Sequence, residues 1–373
     1  MSVVSRAKLG RWAVVVAVAA VLVAIASVVG ALGPRGGTVD ASRLRALVLA
    51  SDKAPYQGVV RSAGSLALPQ LPNLGDLTAL FAGTTAMRAW YAAPDRYRVA
   101  TLTTAGERDV YKFPDAEYTW DYGSAMLTKL VGDPAVRLPR AGDLLPPELA
   151  RRILRLAPGD AASALPGRRI AGVAASGVRI TPADPATTIG RVDVWADPST
   201  GLPLQVEITA RGQQAPIVTS EFQEVEQTAP VLTPPKPAPA VGFSVTSAPD
   251  LAQALGASGR ARLPDTLDGR PVRDARLGGI RGAALYGTGL ASFAVVALPR
   301  DVGGELAEAA SKAGAATTRP ESGEVVQLSI TPLSLAVVRP QSGRRAYLLA
   351  GSVTPSVLTA AGAELARPVR SVR

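Results

Sequence analysis

The sequence predicts an α+β fold in which antiparallel strands form most of the structure. Short segments between positions 56 and 122 alternate apolar or aromatic residues with charged or polar ones. This period-two pattern is typical of strands that have one dry face and one wet face. Turn-forming residues separate these segments at 93–95, 104–107 and 114–116, so short hairpins join neighbouring strands. An antiparallel meander over residues 56–122 is therefore the central element.

Composition limits the chemistry that the chain can perform. Among its 373 residues there is no cysteine and no histidine. This excludes disulfides, thiolate or imidazole zinc sites and cysteine nucleophiles, and it removes the usual base of a serine nucleophile. The formal net charge of +10 is distributed along the chain without an arginine stripe between exposed aromatics. We therefore expect a protein that is not an enzyme and that has no cofactor, no metal and no nucleic-acid partner.

The N-terminal region predicts a membrane anchor. A positively charged tail, residues 1–11, precedes an apolar run at residues 12–33. About 20 apolar residues in a helix span the hydrocarbon core of a bilayer. Because a positive flank stays in the cytoplasm, residues after 33 are expected on the extracytoplasmic side of the cell membrane, on a single-pass protein. A cleaved signal peptide is the alternative interpretation.

A proline-rich segment divides the remaining chain. Residues 39–226 form the first predicted domain, with further strands at about 172–180, 189–195, 204–210 and 217–225. Residues 227–241 contain too many prolines for a strand or a helix and predict a stiff linker. Residues 242–373 predict a smaller α+β domain, whose helices lie at about 301–313 and 354–366.

Three helical segments are expected in the first domain, and the second of them is expected to cover the sheet. One follows residue 40, and a second begins at Pro146, where leucines and Ile153 share a side opposite Arg151, Arg152 and Arg155. The third lies within residues 65–83, between the first two strands. It is either a lid over the sheet or an ordinary packed helix.

A glycine pair and three carboxylates are the candidates for nucleotide binding and for catalysis. Gly287 and Gly289 match part of a dinucleotide fingerprint, but the third glycine is missing and a strand follows, so we predict a hairpin turn. Asp109, Glu117 and Asp121 occupy the polar positions of strands, where solvated side chains are expected. A pair of these acids acting on a glycosidic bond is the enzyme alternative.

The apolar face of the meander is the candidate functional feature. A packed core is one interpretation, and a cavity for an acyl chain is the other. Each buried methylene contributes about 0.8 kcal/mol, so a fatty chain gains on the order of 10 kcal/mol before the cost of immobilising it. The candidate ligand-binding residues are Val60, Leu77, Phe81, Tyr91, Tyr97, Val99, Val110, Tyr118, Trp120, Val194 and Val206.

Four segments of the first predicted domain resemble the LolA-like superfamily. They are residues 50–59, 88–99, 107–110 and 194–204. The resemblance implies an unclosed antiparallel β half-barrel packed on helices. Residues 263–264, Gly269 and residues 286–295 are also similar to the second domain of the MucB/RseB-type regulators within this superfamily.

This resemblance also implies a function. It implies a membrane-anchored extracytoplasmic regulator that binds a lipid or a lipoprotein and a membrane partner such as an anti-sigma factor. A lipid or lipoprotein carrier of the cell envelope is the alternative.

Overall fold

The computed structural model describes residues 39–66, 75–103, 106–133, 137, 139–239, 241–248 and 261–367. The predicted tail 1–11 and the predicted anchor 12–33 therefore lie outside the described residues. Among the helices of these ranges, none is both long enough and apolar enough to cross a membrane.

The described chain contains five α-helices and twenty strands. The helices are α1 (Ala41–Ala50), α2 (Gly75–Ala82), α3 (Pro146–Leu156), α4 (Arg300–Lys312) and α5 (Pro355–Ala366). The strands of the first sheet are β1 (Tyr56–Gly64), β2 (Thr84–Ala93), β3 (Arg96–Thr103), β4 (Gly106–Phe113), β5 (Ala116–Asp121), β6 (Met126–Val131), β7 (Ala161–Ile170), β8 (Val173–Thr181), β9 (Ile189–Ala196), β10 (Pro203–Ala210), β11 (Val218–Glu226) and β12 (Gly242–Ser247). The strands of the second sheet are β13 (Thr266–Leu267), β14 (Arg270–Asp274), β15 (Ala283–Thr288), β16 (Ala291–Pro299), β17 (Ala316–Thr318), β18 (Gly323–Ile330), β19 (Leu333–Pro340) and β20 (Arg345–Gly351).

The first sheet is open and mostly antiparallel. Its strand order is β12-β6-β5-β4-β3-β2-β1-β11-β10-β9-β8-β7, and only the β12–β6 pair is parallel. In the described chain the two terminal strands do not pair with each other, so the sheet does not close into a barrel. An unclosed antiparallel sheet packed on a few helices is confirmed. Residues 242–247, assigned from the sequence to the second domain, extend this first sheet, and the domain boundaries stay a prediction.

Helices α1 and α3 pack on one half of the first sheet. Leu44 and Val48 of α1 and Leu154 of α3 are buried against Val194 and Val206 of β9 and β10. Burial of a large aliphatic side chain contributes about 1.5–3 kcal/mol, so this cluster is a main source of stability.

One expectation for α3 is wrong. Arg151, predicted on the solvated side, is 2% exposed, whereas Leu156, predicted on the packed side, is 37% exposed. The guanidinium of Arg151 is buried because it donates to the Ser51 carbonyl oxygen at 3.1 Å and pairs with Glu148. A specific set of acceptors therefore overrides the helical periodicity.

The second sheet has helices on both faces. Its strand order is β13-β14-β15-β16-β20-β19-β18-β17. Leu358 of α5 packs in the cluster that contains Val338, while Ala307 of α4 packs with Val337, the next residue of β19. Strands β15 and β16 pair as an antiparallel hairpin around Gly289, which confirms the predicted turn.

The loop between β8 and β9 joins the two sheets. Thr187 forms an antiparallel bridge with Val353, and its side-chain oxygen lies 2.7 Å from the Ser352 carbonyl oxygen. The buried carboxylate of Asp160 accepts hydrogen bonds from the backbone N–H of Ala183 at 3.1 Å and of Leu290 at 3.0 Å. Hydrogen bonds thus connect the second sheet to the first through several independent points.

Candidate functional site

A cavity of ≈ 620 Å³ lies against one face of β2, β3 and β4. Its apolar floor comes from these three strands, and its cover comes from a helical turn at Ala141–Leu144 and from the start of α3. Ala79 and Leu80 of α2 also line it. Helix α2, which lies in the segment predicted to be either a lid or a packed helix, therefore borders the cavity. The floor residues are Ala89, Tyr91, Tyr97, Val99 and Val110.

Strand register brings these floor residues together. Val99 of β3 lies opposite Ala89 of β2 on one side and Val110 of β4 on the other. Residues directly opposite each other in a sheet point to the same face, and the face alternates along each strand. Tyr97 and Tyr91 are opposite each other as well and therefore share this face.

Three tyrosine rings form a stack along the floor. The Tyr56 and Tyr91 ring centroids are 4.9 Å apart with planes 8° from parallel, and those of Tyr91 and Tyr97 are 6.1 Å apart at 14°. The Tyr91 hydroxyl donates to the Asp52 carbonyl oxygen at 2.6 Å. Burial raises the pKa of both Tyr91 and Tyr97, so these phenols remain neutral. The stack therefore forms a largely apolar part of the cavity wall.

Ion pairs hold the cover in place. Arg140 pairs with Glu117 of β5 and donates to the Tyr97 hydroxyl at 2.9 Å. Asp143 accepts two hydrogen bonds from Arg137 at 2.6 and 2.7 Å and one from the Arg140 backbone N–H at 2.9 Å. Burial alone raises the pKa of Asp143, but these hydrogen bonds outweigh it, and the net pKa is below the usual value. Asp143 is therefore charged at neutral pH.

Two further ion pairs flank the cavity. At the inner end, Glu148 lines the cavity and pairs with the buried Arg151. At the opposite end of the floor, Arg108 pairs with Asp121 at 2.8 Å. A backbone hydrogen bond from Ser124 and the contact with Arg108 lower the pKa of Asp121 to about 2. The charged groups along the cavity are thus each paired with a group of opposite charge.

The structure brings only part of the predicted site together. Tyr91, Tyr97, Val99 and Val110 line the cavity. The others with described side chains are packed elsewhere, and the Leu77 side chain lies outside what the structure describes. The packed residues are Val60, Phe81, Tyr118, Trp120, Val194 and Val206. That any of the eleven contacts a ligand stays a prediction.

Tyr118 and Trp120 lie on the opposite face of the sheet. Val110 pairs with Thr119 of β5, so the neighbours of Thr119 along the strand point away from the cavity. Tyr118 packs there with Phe113 and with Leu232 of the proline-rich segment. Alternation predicts which residues of one strand share a face, but it does not fix the phase between β4 and β5, which the structure shows to be the reverse of the prediction.

The charged residues around the cavity were not identified as site residues from the sequence. Arg137, Arg140 and Asp143 lie between β6 and α3, where no periodic pattern indicates which side chains face inward. Tyr56 was placed on the first strand but not in the site. Its alternation with Gly58 and Val60 was the available signal, because those positions continue the inward face of β1.

The expectation that Asp109 is solvated is wrong. Its side chain is 0% exposed on the outer face of β4, and its Oδ2 lies 2.7 Å from Arg98 and 3.0 Å from the Tyr111 hydroxyl. Arg98 in turn lies between the Trp90 and Tyr111 rings, 4.5 and 5.2 Å from their centroids. Burial raises the pKa of Asp109 to about 6, although Arg98 and Tyr111 oppose this shift.

The three acids of the enzyme alternative do not form one site. Asp109 pairs with Trp120 across the β4–β5 ladder, whereas Glu117 and Asp121 occupy the other face of β5. Each of the three is engaged by an arginine, namely Arg98, Arg140 or Arg108. Within the described residues no group of three potential metal-ligating side chains is found.

Comparisons with known proteins found similar solved structures. No protein-family model and no curated protein matches the chain. A crystal structure of MucB has 17% identity and a TM-score of 0.45, and the match covers 87% of this chain and 97% of that one. The MucA/MucB complex of Pseudomonas aeruginosa matches over the same shares with 15% identity and a TM-score of 0.45. Lipoprotein LppX of Mycobacterium tuberculosis has 11% identity and a TM-score of 0.29 over 51% of this chain and 95% of that one.

Proposed function

We propose that the chain is a membrane-anchored extracytoplasmic regulator that binds a lipid, or the lipid chain of a lipoprotein, in the cavity over β2–β4. The observation that carries this proposal is the ≈ 620 Å³ cavity between the floor strands and their cover. Concave sites of about 300–1,000 Å³ with mostly apolar walls and a few placed polar groups are typical of small-ligand binding.

The composition of the cavity wall supports a chain-like apolar ligand. Ala89, Val99 and Val110 with the stacked tyrosine rings form a continuous apolar floor. Each methylene that leaves water for such a surface contributes about 0.8 kcal/mol, and immobilisation offsets part of the sum. Binding of this kind requires no catalytic group.

The proposal includes the anchor and a membrane partner. Residues 12–33 would hold the chain at the extracytoplasmic side of the membrane. The resemblance of residues 263–264 and 286–295 to MucB/RseB-type regulators supports a membrane partner such as an anti-sigma factor. The hydrogen-bonded joint between the two sheets also supports this, because it holds them together as one unit that a partner could contact.

Lipid extraction from the purified full chain tests the ligand half. Thr101 is half-buried and lines the cavity, so Thr101→Trp should fill it, whereas Arg88 is exposed and pairs with Ala100 on the other face. We expect mass spectrometry to detect lipid with the wild-type chain and with Arg88→Trp, and a loss of most of it with Thr101→Trp. Absence of lipid from the wild type, or equal lipid in both variants, would refute the proposal.

Site-specific photocrosslinking in membranes tests the partner half. A probe at exposed Arg344, in the turn between β19 and β20, should capture one membrane protein, and the Thr101→Trp substitution should change the yield. Rapid movement of loaded lipid to acceptor vesicles, without capture of any partner, would instead favour the carrier function.

A further inference from the structure

The inner end of the cavity contains a hydrogen-bond donor that has no partner among the described residues. Tyr56 lines the cavity and is 0% exposed. Its ring is fixed from two sides, by stacking on Tyr91 and by an edge contact with Phe222 at 5.5 Å. In the described part of the chain nothing hydrogen-bonds to the Tyr56 hydroxyl. Proteins rarely retain an unpartnered buried hydroxyl, so this one requires an explanation.

The other two tyrosines of the stack differ from Tyr56. The Tyr91 hydroxyl donates to the Asp52 carbonyl oxygen at 2.6 Å, and the Tyr97 hydroxyl accepts from Arg140 at 2.9 Å. Their polar ends are therefore part of the protein's own hydrogen-bond network. Only the Tyr56 hydroxyl is left, among these three, for a molecule that enters the cavity.

The protonation state of Tyr56 makes its hydroxyl a donor. Burial raises the pKa of Tyr56 well above its usual value, and the charge of Glu148 raises it further. Since the phenol remains protonated, it offers one O–H donor, and the complementary ligand atom is an acceptor.

The charges around the cavity decide which acceptor is suitable. Arg140 is paired with Glu117, Arg137 with Asp143, and Arg151 with Glu148. An ionised carboxylate or phosphate that moved to Tyr56 would lose its hydration without meeting an uncompensated cation there. A neutral carbonyl oxygen does not carry this penalty.

We propose that the Tyr56 hydroxyl is a specificity-determining donor, which selects a lipid carrying an uncharged ester or amide carbonyl at the end that enters the cavity first. The inference rests on the proposed function, because it requires the cavity to hold a lipid. It adds the ligand's polar chemistry and its orientation, with the carbonyl inside and against Tyr56. Free fatty-acid carboxylates and exposed phosphate groups are disfavoured at this position.

A displacement assay with three matched ligands tests this inference. The full chain, held in an amphipathic polymer without detergent, is loaded with the fluorescent probe 1-N-phenylnaphthylamine. Methyl laurate, pentadecane and ionised laurate then compete for the cavity; the first two have the same number of non-hydrogen atoms. The variants are Tyr56→Phe, which removes only the hydroxyl, and the control Tyr118→Phe, which makes the same change on the opposite face.

We expect Tyr56→Phe to lower the affinity for methyl laurate about 3- to 10-fold, which is the effect of losing one hydrogen bond to a neutral acceptor. Pentadecane should bind the wild type and Tyr56→Phe with equal affinity. The control Tyr118→Phe should change the affinity of neither methyl laurate nor pentadecane. In the wild type, ionised laurate should bind more weakly than methyl laurate.

The outcomes separate this inference from the proposed function. If pentadecane binds but Tyr56→Phe leaves methyl laurate unchanged, the role of Tyr56 is overturned while lipid binding stands. If no ligand displaces the probe from the wild type, lipid binding itself fails. An infrared measurement on the wild type needs no variant: the carbonyl stretch of bound, isotope-labelled methyl laurate should shift to lower frequency than in an alkane solvent. An unshifted band would overturn the inference.

Discussion

The carboxyl group of Asp109 illustrates how the environment of one residue changes its chemistry. Its side chain is 0% exposed, and one of its oxygens, Oδ1, has no hydrogen-bond partner in the described chain. The pair with Arg98 does not fully compensate for burial, and the pKa of Asp109 is raised to about 6. In the unfolded chain the same group has the ordinary pKa of about 3.9.

We predict a stability contribution from Asp109 that decreases as pH rises. Because the folded pKa exceeds the unfolded one, the folded state retains a proton that the unfolded state releases between about pH 4 and pH 6. The contribution is fully present below the unfolded pKa and is lost as pH passes the folded pKa. Relative to Asp109→Asn, the wild-type free energy of unfolding should fall by up to about 3 kcal/mol over this window.

Urea denaturation at a series of pH values measures this difference. Other carboxyls, such as Asp143 with its lowered pKa, have the opposite pH dependence, but they are common to both proteins and cancel. Asp115→Asn, at an exposed position, is the control and should give a flat difference. A flat difference for Asp109→Asn as well would contradict the prediction.

At the residue scale, the site residues predicted on β2–β4 line the cavity, whereas those predicted on β5 face away from it. Tyr97, Val99 and Val110 were identified because alternation along a strand determines which residues share a face. Tyr118 and Trp120 were misplaced because the phase between strands depends on turn length, and a slip of one residue reverses the face. Arg140 and Glu148 reach the cavity through tertiary contacts, which no local pattern encodes.

At the scale of elements, the turn between β9 and β10 contacts helix α1 closely. Gly201 has φ = +73°, and a Cβ there would collide with the Leu47 carbonyl oxygen. Gly212, in the turn after β10, has φ = +79° but no atom within 4 Å of such a Cβ. The two glycines therefore share a backbone conformation and differ in their surroundings.

We predict that Gly201→Ala destabilises the protein more than Gly212→Ala does. Gly212→Ala should cost about 1–2 kcal/mol for the left-handed conformation alone. Gly201→Ala adds a displacement of α1 and should cost about 1–3 kcal/mol more. Urea midpoints at constant m-value measure both. Equal losses would show that α1 moves away from the turn freely.

Helix α3 contains a second pair of residues suited to a matched comparison. Arg151 is buried and donates to Ser51, while Arg152 next to it is 66% exposed. Arg151→Met should cost about 1–3 kcal/mol for each acceptor left unsatisfied, whereas Arg152→Met should remain within about 0.5 kcal/mol of the wild type. Thermal unfolding of both variants measures the difference, and a harmless Arg151→Met would refute the structural role.

Most elements were predicted from the sequence, but strands β6, β7, β12, β13, β14 and β17 were not. Strands β7 and β12 are both largely exposed. Neither therefore has one buried face and one solvent-exposed face. Strand β12 forms because β6 offers a free edge to pair with. Such a strand is determined by its neighbour rather than by its own composition.

At the scale of the whole molecule, the contact between Asp160 and Gly289 connects the two sheets. Gly289 has φ = +57°, and a Cβ there would lie 2.7 Å from both carboxylate oxygens of Asp160. The sequence predicted the Gly289 hairpin correctly. It did not predict this contact, because the two residues are far apart in the chain and neither belongs to a recognisable pair.

We predict that Asp160→Ala and Gly289→Ala weaken the joint from opposite sides. Asp160→Ala leaves the backbone N–H groups of Ala183 and Leu290 without their acceptor, at a cost of about 1–3 kcal/mol each. In differential scanning calorimetry the variants should show two separated unfolding transitions, whereas the exposed control Asp265→Ala should unfold like the wild type. One unchanged transition in both joint variants would contradict the prediction.

The proline-rich segment connects two distant strands of the first sheet. The segment begins at the end of β11 in the middle of the sheet, and it ends at β12 on the sheet's edge. Seven inter-strand steps of about 4.8 Å separate those strands, roughly 34 Å in a flat sheet, and about 15 extended residues reach about 45 Å. Leu232 and Val241 of this segment pack against Phe113 and Tyr118 on the outer face of the sheet. A flat sheet therefore remains within reach of the segment, so its packing on Phe113 and Tyr118, rather than its length, keeps it on the outer surface.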